Sequence, residues 1–169
     1  MVTTLSANLA PGALRLGDAP FGTAGLTTEL PTLEGASATN SATLLDVLAD
    51  QTAKGLPAGS SAGGEQAKFL LRDHDGHPLL AKFSPPRGTP FGERWNDLLH
   101  AEALALALMA AHGVPVAEAR VVSTSRRTVL LSRRFDRVGR HGRRHVVPLW
   151  AVHEAFVPGP PRHWAATCD

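Results

Sequence analysis

The stretch KFLLRDHDGHPLLAKF, from Lys68 to Phe83, constrains the fold more than any other part of this chain. Two apolar runs flank Asp75-Gly76, a pair able to supply the positive φ of a tight turn, so the segment reads as an antiparallel hairpin. A stiff connector follows, with Pro85, Pro86, Gly88 and Pro90. Next comes the strongest helical signal present, GERWNDLLHAEALALALMAAHG. Thr89 can cap this helix and Pro90 can open it; the helix runs roughly from Phe91 to His112 and ends where Gly113 takes the left-handed C′ position. After Pro115, AEARVVSTS and RTVLLSRRF form a second pair of strands around Ser125 and Arg126. The expected fold is α+β: an antiparallel sheet of about four or five strands with one long helix against it.

A chain of 169 residues buries one core and makes one domain, or one lobe of a larger one. Residues 1–41 are rich in Thr, Ala, Gly, Pro and Leu without sustained periodicity, so they are expected to be a poorly ordered segment. Ala42 to Ala53 reads as a short helix with Leu44, Leu45, Val47 and Leu48 on one side, stopped at Gly55. Residues 42–156 then make the core unit, and 157–169 a proline-rich tail that breaks off.

The formal net charge of +2 is too small for the whole surface to attract nucleic acid. Eight arginines nevertheless fall between Arg126 and Arg144, so an anionic partner is to be sought there. One cysteine, Cys168, excludes an internal disulfide framework. No run reaches the ~18 apolar residues of a membrane span, and the expected location is cytoplasmic.

Between the short helix and the hairpin lies Gly59-Ser60-Ser61-Ala62-Gly63-Gly64-Glu65-Gln66-Ala67-Lys68. Alone, such a run is a linker as readily as a site. Its position raises the functional reading, because glycines let backbone amides approach phosphate oxygens and the hairpin returns to place Lys82 nearby. The P-loop spacing is absent, since no Gly-Lys-Ser/Thr follows.

Lys82 lies inside an apolar strand, and Glu102 has Leu98, Leu99, Ala105 and Leu106 as its helical neighbours. A carboxylate in that stripe is expected to face the core, where it needs a cation, and Lys82 is the nearest candidate. A strand lysine paired with a helix glutamate is the arrangement that kinases use to orient a lysine on ATP phosphates; a buried ion pair with no ligand is the plainer alternative. Arg133-Arg134-Phe135 follows the last strand and can serve as a hinge offering backbone groups to a base, or be no more than a charged strand end. Histidine pairs His74/His77 and His141/His145 lie in turn-rich, charged stretches and lack an evident third metal ligand. Ser60 and Ser61 sit on no nucleophile elbow.

Taken in order, GSSAGGEQAKFLL, LLAKF, the helix with Glu102, HGVPVAEARVV and SRRFDRVGRHGRRH resemble the N-terminal half of the kinase core of HipA-type toxins, serine/threonine kinases of bacterial toxin–antitoxin systems. The resemblance covers roughly Leu56 to Leu149 and is nearest the branch that includes the YjjJ-like proteins. It implies a kinase N-lobe fold, ATP as ligand, Mg²⁺ in the complete enzyme and an antitoxin-like partner. It implies that Ser61 is the autophosphorylated loop serine, that Gly63, Gly64, Glu65, Gln66, Ala67 and Lys68 wrap the phosphates, and that Lys82 contacts them with Glu102 orienting it. Arg133, Arg134 and Phe135 would hold adenine.

Ala67 stands where many relatives have proline, and Arg133 where glutamate is common. The family's aspartate base and its asparagine and aspartate metal ligands lie beyond the hinge, whereas here the last asparagine is Asn96 and the acids after Asp136 are Glu154 and Asp169. These 169 residues therefore resemble a kinase truncated inside its C-lobe, expected to be inactive alone. The competing expectation is a non-catalytic protein that binds an antitoxin-like partner.

Overall fold

The computed structural model describes residues 30–33, 38–54, 66–139 and 142–157. Helix α1 spans Ala38–Ala53, strand β1 Lys68–Arg72, β2 Pro78–Phe83, helix α2 Pro90–Ala111, β3 Ala119–Ser123, β4 Thr128–Arg133, β5 Arg137–Val138, β6 Gly142–Arg143 and helix α3 Leu149–Phe156. Strands β1 to β4 form one antiparallel sheet in the order β1-β2-β4-β3. The fold is α+β, as the alternation of hairpins and helices predicts.

The hairpin forms for the expected reason. Gly76 adopts φ +82°, and Asp73 Oδ1 accepts from the Asp75 and His77 amides, so the turn satisfies its own backbone. Register then follows from the two-residue period: Leu79, Ala81 and Phe83 enter the core, while Leu80 and Lys82 project from the opposite face. The core on the first face joins Leu45 and Ala49 of α1 with Phe69, Leu71, Val129 and Leu131. Phe69 and Phe83 pack with ring centroids 5.6 Å apart.

Two details lie outside the sequence expectation. Residues 30–33 run parallel beside β1, with Arg72 N–H donating to Pro31 O and Leu33 N–H to Arg72 O, and Leu33 is buried in the core. Helix α1 also starts four residues early, at Ala38. Its polar residues Thr39, Asn40 and Ser41 occupy the first turn, where N–H groups have no intrahelical acceptor and side-chain oxygens are tolerated.

Helix α2 crosses the second face. Thr89 caps it by accepting from Gly92 N–H, Pro90 fills the first position, and Glu93 reaches back to Gly88 N–H. At the other end Gly113 takes φ +77° and Val114 N–H donates to Met109 O, closing the helix in a Schellman-like turn. The two-stranded ribbon β5–β6 and helix α3 follow the sheet; α3 is announced only by Pro148 before an octet that is apolar but for His153 and Glu154. Among the described residues no helix is long and apolar enough to cross a membrane.

Candidate functional site

Lys82 Nζ and Glu102 Oε1 lie 2.5 Å apart, joining β2 to α2 on the face opposite the main core. The predicted contact is present, but its setting differs from the expected one. The two side chains are 26% and 36% exposed, and Leu98 and Ala105 beside Glu102 are exposed as well. The apolar stripe around Glu102 does not mark burial, because no described element covers the outer side of α2. The pair sits at a rim, reachable by a ligand.

Lys68 adds a second cation. It is the register partner of Lys82 across β1 and β2, so both side chains leave the same face, and Lys68 is buried. Burial, and then the Lys82 charge, push the Lys68 amine below its ordinary value. At neutral pH a lysine shifted in this way costs stability, and the cost is recovered only as the amine loses its proton. Two residues earlier in the chain, the Gln66 side-chain nitrogen is buried and has no hydrogen-bond partner among the described residues. The partly exposed Lys82 amine, with the Lys68 charge behind it on the same face, suits an anion.

The remaining predicted site residues divide. Ser61, Gly63, Gly64 and Glu65 lie outside the described residues. Ala67 is exposed at the entry to β1. At the expected hinge, Arg133 N–H donates to Glu118 O and Arg134 N–H to Pro78 O, so the fold itself uses two of the three amides. Phe135 is exposed just beyond. Arg134 grips Asp136 through two bonds, of 2.9 and 2.6 Å, and Arg137 joins at 2.8 Å, which makes this corner a buried ionic knot.

That knot corrects the reading of the arginine run as the place for an anionic partner. Five of its eight members, Arg126, Arg127, Arg133, Arg134 and Arg137, are ion-paired to carboxylates of this chain. These pairings offset much of the run's charge within the chain, so it does not present an open basic surface.

Sequence reasoning also missed the pairing that docks α1. Arg127, in the turn between β3 and β4, is 2% exposed; it donates to Asp50 Oδ1 at 2.5 Å and lies over the Phe83 ring. Its Nε is 3.2 Å from Asp46 Oδ1, near enough to attract but not aligned as a hydrogen bond. Thr124 Oγ1 donates to the same carboxylate oxygen. Asp50 also accepts from Arg126, and these arginines hold its carboxyl below the usual range. Asp73, Asp75 and His77 come together as well, within 4.8 Å, as parts of the hairpin turn.

The family model described as "HipA-like C-terminal domain" matches residues 60–157. The chain is 40% identical over 117 residues to Toxin YjjJ of Escherichia coli (strain K12), a match covering 67% of this chain and 26% of that protein. The chain thus spans about a quarter of the relative's length. No solved structure matches.

Proposed function

The chain belongs to the family of HipA-like C-terminal domains, and from that premise we propose that its described sheet and α2 are the nucleotide-holding part of an ATP-dependent serine/threonine kinase of the toxin–antitoxin type. The Lys82–Glu102 pair, 2.5 Å across between a strand and the helix over it, carries the reading. Lys82 meets the phosphates, Glu102 keeps its amine from wandering, and Lys68 adds positive charge on the same face. Phe135, beyond the two spent amides, is where a base edge finds backbone groups. Ser61 is the proposed acceptor of autophosphorylation, and an antitoxin-like protein the proposed partner in the cytoplasm.

A bound ATP supplies the phosphoryl group and its leaving diphosphate. The donors named above fit its anionic oxygens. Mg²⁺ fits less well: Glu102 is taken by Lys82, and no other carboxylate among the described residues is shown beside that amine. Phosphoryl transfer relies on positioning and metal-assisted charge stabilisation, so residues 1–169 by themselves are proposed to hold nucleotide without transferring it. Incubation with labelled ATP and Mg²⁺ tests this, with label on Ser61 or an added protein as the readout. Incorporation that disappears in Lys82→Ala would overturn the proposed inactivity.

A second reading, an interaction protein that binds an antitoxin-like partner without nucleotide chemistry, draws on the uncovered apolar side chains of α2. Leu104 and Leu108 are 70% and 58% exposed. Absence of any nucleotide binding would favour it.

A further inference from the structure

The Lys82–Glu102 contact depends on how α2 is placed along the sheet, and apolar packing is a poor ruler for that. Leu99 is the large side chain that α2 buries, and hydrophobic contact has no direction, so alone it permits a helix to slide or roll. Two directional features oppose such motion. At Gly92 the first turn lies so close to the connector that a Cβ would fall 2.2 Å from Pro86 O. One turn later, Asn96 Oδ1 accepts from the Thr128 hydroxyl.

Thr128 is fully buried and is itself fixed on every polar atom. Its N–H donates to Ser84 Oγ at 3.0 Å, its carbonyl accepts from Ser84 N–H at 2.9 Å, and its hydroxyl oxygen accepts from Arg87 at 3.2 Å. Its geometry relative to Lys82 is equally defined. Thr128 and Leu130 alternate onto one face of β4, and Leu130 is the register partner of Lys82. On the helix, Asn96 and Glu102 are separated by six residues, or about 9 Å of rise. The sheet therefore carries Thr128 and Lys82, the helix carries Asn96 and Glu102, and the two contacts close a frame.

We propose that Asn96 and Thr128 are positioning residues whose hydrogen bond pins α2 in the register that brings Glu102 to Lys82. A directional polar contact between helix and sheet suits the choice of register, since it adds little net stability but penalises every other alignment. The inference rests on the nucleotide reading only for what the held lysine is for.

The test reads the Lys82 amine directly. The chain has three lysines, Lys54, Lys68 and Lys82, so an amine-acylating reagent followed by mass spectrometry gives a rate for each. Lys54 is exposed and Lys68 buried in β1, where it reports opening of the sheet. Glu102→Gln sets the rate for a released Lys82. Thr128→Val leaves the Asn96 carbonyl unpaired and can unfold the protein, so the deciding variant replaces both partners, Asn96→Leu with Thr128→Val, which removes donor and acceptor together at similar shape, while Arg87, which is exposed, exchanges the Thr128 hydroxyl for water.

In that double variant Lys82 should be acylated about fivefold faster, the factor that matches a contact of roughly 1 kcal/mol, with Lys54 and Lys68 unchanged; Thr128→Ser should behave as wild type. Lys82 reacting at the wild-type rate would overturn the proposal, as would parallel acceleration at Lys68, which marks a merely structural role. ATP titration of the same proteins keeps the two claims apart. If wild type binds no ATP the nucleotide reading fails, while the acylation rates still decide the positioning role.

Discussion

Arg127→Ala should be among the most damaging substitutions in the protein, and the structure says by how much. Removing the guanidinium leaves Asp46, a carboxylate whose side chain is 12% exposed, with hydroxyl donors in place of its cation. Breaking a buried pair in this way costs roughly 3–5 kcal/mol. Asp50 contributes less, since it is about a third exposed and keeps Arg126; that half is worth at most about 1 kcal/mol. Loss of the cation over Phe83 contributes about 1 kcal/mol more. These parts share atoms and do not add fully, so the expected cost is about 4 kcal/mol.

Urea unfolding followed by circular dichroism is the assay. With a slope near 2 kcal/mol per molar, the midpoint should fall by about 2 M at constant slope. Replacing Asp46 as well, in Asp46→Leu with Arg127→Met, should recover most of the loss, because an apolar contact carries no uncompensated charge. A loss below about 1 kcal/mol for Arg127→Ala would refute the claim that this cluster docks α1.

Gly92→Ala should destabilise by about 1–3 kcal/mol, although glycine to alanine inside a helix usually gains ~1 kcal/mol; the added Cβ meets backbone at Pro86 O, and thermal unfolding gives the sign. Asp50 sets an acid limit for the α1 contact. Its carboxyl is held below the ordinary 3.8, so its contribution is present above that value and lost as pH falls through the lower folded one; urea midpoints should stay level down to about pH 4 and drop below it, and less steeply in Asp50→Asn.

The parts legible in the sequence are those that local chemistry decides. Asp75-Gly76 requires a turn, Thr89-Pro90 a helix start and Gly113 a helix end, and each occurs within a residue of its expected place. Glu102 was traceable to Lys82 because a charge amid leucines calls for a partner. Its burial was not traceable, since periodicity reports an apolar stripe and not whether anything covers it; Leu98, beside it, is 48% exposed. The α1 clamp was hidden for a different reason. Arg126 and Arg127 are chemically alike, their partner Asp50 lies more than 70 residues away, and only the conformation of the turn between β3 and β4 sends one to solvent and the other into the core. The same blindness made the arginine run look like an open basic surface when five of its members were already neutralised within the chain.

The central claim is that the face bearing Lys68, Lys82 and Glu102 receives nucleotide phosphates, and calorimetric titration of ATP into wild type and Lys82→Ala tests it most directly. Wild type should bind ATP more tightly than adenosine, because the charged donor in hand addresses the phosphates. Losing a charge-assisted contact worth about 1.5–3 kcal/mol should weaken ATP roughly 10- to 100-fold in the variant. Equal affinity in the two proteins, or no ATP binding to wild type, would contradict the account.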